Sequence, residues 1–269
     1  MDRSNIDKIS QDPEDRLLLA KIWDKIQNGM RRNIPAATGF LSPREQEMAK
    51  YLFGQQAELM FFGGYPEAER KSLIYLPDYL EEDFLTSEDS PLVCVAGSFY
   101  AGDCLTHRDI LGSLIGAGVQ RQAIGDIAVG DGCFFVFVTA QMAPFILQNL
   151  TQAGSVHLSL RQVPLDNLSL PQAKTREIRD TLASLRLDGV VSAGFSIGRS
   201  QAAQHIAAGR VAVDGQPWEK PDKQVSEGAK ISLRGMGKIC LKAVNGQTKK
   251  GRISVVIDRY VLGDSYENG

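Results

Sequence analysis

The stretch from Ser184 to Gly215 restricts the fold of this chain more than any other, because two short apolar stripes there are bounded by helix punctuation. Leu187, Val190 and Val191 make the inner side of one predicted helix, and Ala202, Ala203 and Ile206 that of the next. Gly209 closes the second helix, Val211 and Val213 alternate as a half-buried strand, and Asp214-Gly215 reads as a turn. The pattern continues through Val225, Gly228, Ile231 and Leu233 into Arg234-Gly235-Met236-Gly237-Lys238. A small, curved sheet beside two short helices is expected. Arg199, Ser200 and Gln201 fall in the first turn of the second helix, where unsatisfied amides and the positive end of the dipole favour phosphate. Gly198 before them is an acceptable cap but a weak one.

Charge points to the same end of the molecule. The formal net charge is only -2, yet residues 171 to 260 carry 16 Lys and Arg against 8 Asp and Glu, leaving 14 against 24 elsewhere. A surface for a polyanion and a merely solvated basic face both fit that excess. With 43% apolar and 23% charged residues the chain is built for packed cores rather than long disorder. Cys94, Cys104, Cys133 and Cys240 form no CxxC pair, so no zinc knuckle or disulfide framework is indicated and a reducing compartment fits. The longest apolar run, Cys133 to Leu147, is broken by Gln141 and Pro144, too short for a membrane span. Met1 to Asp15 has no apolar core of the signal-peptide kind and reads as mature sequence.

The rest of the chain divides into two further segments, giving expected domains at 1–75, 76–174 and 175–269. The first reads as helical: Arg16, Leu17, Leu19, Ala20 and Trp23 lie at helical spacing, and Ser42-Pro43 with Glu45 announces a helix over 43–53. After it, Gly63-Gly64-Tyr65-Pro66 forces a turn, either from a strand into a helix or as a site of close approach for a nucleic-acid backbone. Residues 92 to 163 give the order βαββαβ: Leu92 to Ala96, a helix from Thr106 capped with Asp109, strands near Ile127 and at Phe134 to Val138, a helix near 140–150, and a strand over 156–163. That is the ferredoxin-like arrangement that RRM domains share. Phe135 and Phe137 share one face of the third strand, where an RRM would stack bases, while Phe134, Val136 and Val138 line the other. Two apolar faces and no Lys/Arg-Gly-aromatic signature argue that protein covers both. His107 and Arg108 stand at the exposed start of the first helix of this domain, without a nucleophile or metal partner at a useful spacing. Residues 164 to 181 read as a polar connection.

Arg186-Leu187-Asp188, Arg199-Ser200 with Ala202, Ile206 through Val211, and Val213-Asp214-Gly215 together resemble the S4 RNA-binding domain, or alpha-L motif, over about Leu185 to Leu233. Gly198 stands where that family usually has serine. With Phe40 to Glu45, Gly63 to Arg70, Leu105 to Gly112 and Arg234 to Lys238 added, nearly the whole chain is similar to the YlmH family of bacterial S4 proteins. Cyanobacterial and plastid members of that family are commonly labelled photosystem II S4 domain proteins, and the C-terminal extension leans that way. The resemblance implies a ribosome-associated RNA binder, with relatives linked to rescue of large subunits carrying stalled peptidyl-tRNA, and no catalytic residue to carry over.

The expectation is therefore an α+β protein, not an enzyme, that clamps structured RNA, rRNA or tRNA, by shape and phosphate contact. Arg186, Arg199, Ser200, Gln201, Arg210, Lys220, Lys223, Arg234 and Lys238 would form one basic face, with Arg70, Lys71, His107 and Arg108 as secondary contacts. No cofactor, metal, DNA-specific binding or oligomer is expected, and the place is the cytoplasm, or the stroma in a plastid. Two other classes stay open: an RNA-modifying enzyme that uses the S4 module for delivery, for which Asp103 or Asp109 would have to serve as base, and a protein-interaction or photosystem assembly factor. No convincing glycine-rich cofactor loop follows a strand, which counts against a methyltransferase.

Overall fold

The computed structural model describes residues 6–166, 168–171, 175–248 and 251–260. The chain forms two compact units, 1–172 and 173–269. The expected boundary at 174/175 adjoins residues 172–174, which lie outside the described ones, as do Asn167 of the expected connection and the last nine residues of the C-terminal extension.

The first unit opens with helices α1 (Ile6–Ile9), α2 (Pro13–Arg32) and, after strand β1 (Ala36–Leu41), α3 (Pro43–Phe53). Ser42 caps α3 in a full capping box with Glu45, so the helix begins where Ser-Pro-x-Glu places it. These helices bury Leu19, Ile22, Ile26, Ala49, Leu52 and Phe53. The reading of 1–75 as helical is incomplete, because β1 joins β2 (Leu59–Phe62) and β3 (Lys71–Tyr75) in an antiparallel sheet of order β1-β3-β2. Leu73, Ile74 and Tyr75 are buried in succession, so β3 lacks the alternation that marks a half-exposed strand. The Gly63-Gly64 turn accordingly leads from strand to strand, not into a helix.

The βαββαβ order holds: β4 (Leu92–Ser98), α4 (His107–Gly116), β5 (Ile124–Gly130), β6 (Cys133–Thr139), α5 (Ala143–Asn149) and β9 (Ser159–Val163), with the two-residue pair β7 (Gln152–Ala153) and β8 (Val156–His157) before the last strand. The sheet order β5-β6-β4-β9, antiparallel throughout, is that of a ferredoxin-like domain. The Thr106–Asp109 capping box starts α4, and Ile110 and Leu114 bury its apolar side against Phe134, Val136 and Val138.

In the second unit β10 (Thr175–Leu182), α6 (Leu187–Phe195), α7 (Arg199–Ala207), β11 (Val211–Val213), β12 (Gln216–Pro217), β13 (Lys230–Leu233), β14 (Gly237–Gln247) and β15 (Ile253–Tyr260) build one sheet of order β10-β15-β14-β13-β11-β12. The stretch 175–181, expected as connection, is thus an edge strand paired along its length with β15. It reads as polar because an edge strand with an open face needs few apolar residues, and Ile178 and Leu182 are its contacts with the core. The helices lie tightly on the sheet: a Cβ on Gly194 of α6 would come within 2.4 Å of the Ile239 side chain, so a larger residue there would push α6 off β14. Leu187, Val190, Val191, Ala202 and Ile206 are buried, as their spacing requires, together with Phe195, while Ala203, expected on the same side, is half-buried.

Candidate nucleic-acid interface

Helix α6 starts at Arg186, and its first amides find acceptors in the loop 218–225: Leu187 donates to the Lys223 carbonyl at 2.9 Å and Asp188 to that of Pro221 at 3.0 Å. Val225 in turn donates to the Leu185 carbonyl at 2.9 Å, which pins the loop across the helix start. In the same first turn the Asp188 carboxylate lies between two guanidinium groups. Arg186 donates to it from Nε and Nη2 at 3.3 and 3.1 Å, and Arg199 from Nη2 at 3.0 Å. Asp188 is only 5% exposed. Burial by itself would raise its pKa, but the hydrogen bonds from Arg186 and Arg199 outweigh that and hold the carboxyl below the ordinary aspartate value. The arginine side chains remain 38% and 53% exposed, so each keeps part of its donor fork for a ligand.

Helix α7 begins differently. Its cap, Gly198, offers no side-chain acceptor, as its sequence implies, and Gly198, Arg199, Ser200 and Gln201 are all exposed. The positive end of α7 therefore opens to solvent beside Arg199. Lys223 lies over the Trp218 ring, its Nζ 3.5 Å from the centroid, so the indole steadies a third cation in the loop that Asp188 and Leu187 hold; Lys220 is exposed in the same loop.

The nine expected residues come together as two groups. Arg186, Arg199, Ser200, Gln201, Lys220 and Lys223 surround the helix starts and their loop. Arg210 lies past the other end of α7, about 13 Å along the helix axis. There the Arg234 amide donates to the Arg210 carbonyl at 3.0 Å, with both side chains exposed, and half-buried Lys238 pairs across the hairpin with Ser232.

Of the four secondary residues, Arg70 is removed by its geometry. Its Nε donates to the Ile124 carbonyl at 3.1 Å and its Nη2 to that of Phe40 at 2.8 Å, so the guanidinium ties β1 to β5. Lys71 is half-buried in β3, and His107 and Arg108 sit exposed in the first turn of α4, in the other compact unit from the S4-like group.

The sheet of the first unit is closed on the side where an RRM would read bases. Phe137 is 0% exposed and Tyr65 stacks on it with centroids 4.9 Å apart. Phe40, Leu92, Cys94 and Leu165 complete that cluster, and Phe135 packs at its margin. The Tyr65 hydroxyl donates to Asp126 at 2.9 Å, and the Glu69 and Arg70 amides donate to the same carboxylate at 2.6 and 3.1 Å. Burial, reinforced by the Asp126 charge, pushes the Tyr65 phenol pKa up, so it stays protonated and donates. Gly64 explains the glycine pair: at φ 96° its Cβ position lies 2.3 Å from the Phe137 ring. What approaches these glycines closely is the chain itself, Phe137 at Gly64 and the Ala68 side chain and Arg70 carbonyl at Gly63.

Asp188 and Trp218 were not among the nine expected contact residues, although the sequence carries Asp188 within the Arg186-Leu187-Asp188 element. Asp188 was visible there as an acid between basic residues at the starts of consecutive helices, whereas no local pattern announces that Lys223 lies on Trp218.

The second unit thus defines an S4-domain protein, and the S4 domain family model matches residues 185–231. The family model described as "Putative RNA-binding domain in YlmH" matches residues 101–167. The chain is 36% identical over 226 residues to "Ribosome-associated protein quality control protein P2" of Bacillus subtilis (strain 168), covering 82% of this chain and 86% of that protein. It belongs to the YlmH family of S4-domain RNA-binding proteins. A solved structure, "Cell division protein ylmH from Streptococcus pneumoniae", aligns with a TM-score of 0.48 at 20% identity over 60% of this chain and 98% of that one. Among the described residues no helix is long and apolar enough to cross a membrane, and no cluster of potential metal ligands is present.

Proposed function

We propose that this chain clamps structured RNA of the ribosome, on the large subunit, through the basic group around α6 and α7, and that it acts as a cytoplasmic monomer in translation or ribosome quality control. The observation that carries the reading is the pair of half-exposed arginines, Arg186 and Arg199, fixed on one buried carboxylate beside an uncapped helix start. Arginine forks bind paired phosphate oxygens, and a helix start adds amides and a favourable dipole. The quality-control name of the Bacillus subtilis relative supports the same setting. Arg210, Arg234 and Lys238 extend the contact along the backbone of a folded RNA. The chain is a binder and not a catalyst.

If about 4 to 6 phosphates are neutralised, log affinity falls with log salt at a slope of about -3 to -5. The test is sedimentation of a tagged copy from growing cells through sucrose gradients at low and high salt, with crosslinked RNA sequenced from each fraction. Comigration with the large subunit, lost at high salt and in Arg199→Glu, is the expected result. Recovery only in free fractions without RNA crosslinks would overturn the proposal.

A further inference from the structure

The chain places a negative charge in the middle of its most basic surface, and a purely electrostatic RNA site would gain by losing it. Asp188 is nevertheless built in: it is buried, its amide is bonded to Pro221, and one of its oxygens, Oδ1, receives both Arg186 Nε and Arg199 Nη2. Its carboxylate lies too deep to meet a ligand. Its effect must pass through the two guanidiniums, which repel each other and have long, flexible stems. Sharing one carboxylate fixes both their spacing and their direction before any ligand arrives.

From this we infer, resting on the RNA-binding reading above, that Asp188 is a positioning residue that sets selectivity for folded over single-stranded RNA. A folded RNA offers phosphates at spacings it cannot easily change, so it gains from a cation pair already set to match. A flexible strand adapts its backbone to either a fixed or a loose pair and gains little. Asp188 therefore costs general attraction to polyanions and supplies discrimination.

The experiment compares the full chain with Asp188→Asn on two fluorescent RNAs of equal length and composition, a stable hairpin and an unstructured strand, across a salt series. The expected result for Asp188→Asn is a roughly tenfold loss on the hairpin, the size of one charge-assisted hydrogen bond, with the single strand unchanged. The salt slope on the hairpin should also become shallower by about one, although the protein has gained a positive unit. Tighter or equal binding to the hairpin would overturn the inference, and so would an equal loss on both RNAs. If Asp188→Asn does not fold, Asp188→Glu carries the same test, since it keeps the charge but displaces the carboxylate from the two guanidiniums while leaving both arginines in place. A wild-type chain that binds neither RNA would instead overturn the proposed function.

Discussion

Three of the four strands of the first unit's ferredoxin-like sheet, β5, β6 and β9, and the helix pair of the second unit lie within family-model matches, yet the two regions dispose of their surface groups in opposite ways. The sheet spends its aromatic face on its own chain: Tyr65 covers Phe137, and Arg70 is consumed by two carbonyls. The helix pair spends one carboxylate and leaves two guanidinium groups half exposed. Similar topology to a base-reading domain therefore says little about base reading. What decides is which aromatic or charged groups remain after the core is packed.

The largest effect that would sharpen this contrast is expected for Phe137→Ala. It should cost the first unit about 3 to 5 kcal/mol by opening a cavity under Tyr65, while RNA affinity of the folded protein stays unchanged. Urea unfolding combined with RNA titration checks it, and a stable variant that has lost RNA binding would break the contrast. Arg70→Ala comes next, with a loss of about 2 to 3 kcal/mol in the same unfolding assay and no change in the salt slope, because its bonds go to buried carbonyls. Arg199→Ala should do the reverse: stability within about 1 kcal/mol of wild type, but RNA affinity weaker by about 1 to 2 kcal/mol with a slope shallower by about one. The smallest effect is expected from mild acid. Hydrogen bonding to Arg44, opposed by burial and aided by Ser10, holds the Asp15 carboxyl below 3.8, and Asp188 is held below the same value. With folded-state pKa values lowered, both contributions are complete above the unfolded value and are lost as pH falls through the folded one. Lowering the pH to about 5 should therefore weaken neither unit through these groups, as thermal melts over a pH series would show.

Much of this was legible in the chain itself, for identifiable reasons. Ser42-Pro43 with Glu45 and Thr106 with Asp109 are local capping signals, and both helices begin where those residues place them. The S4 region was legible because its helices, glycine closure and Asp-Gly turn are all encoded within a few residues of each other. The three-stranded sheet of the first unit was not, since β3 is buried on both faces and, besides β2, its other partner, β1, lies on the far side of α3 in the chain. Strand β10 was hidden by its polar face, and its partner β15 follows more than seventy residues later. The candidate cations were legible from charge and motif, but not their division between the two ends of α7. Nor could the sequence show that Arg70 turns inward, because the carbonyls that hold it, Phe40 and Ile124, come from separate strands.

The most direct test of the central claim, that the helix pair and not the sheet face holds RNA, is to crosslink the full chain to large-subunit RNA with ultraviolet light and map the modified peptides by mass spectrometry. Adducts concentrated between residues 186 and 238, with none on Phe135 or Phe137, are the expected outcome. Adducts on those two phenylalanines, with the 186–238 region unmodified, would contradict it.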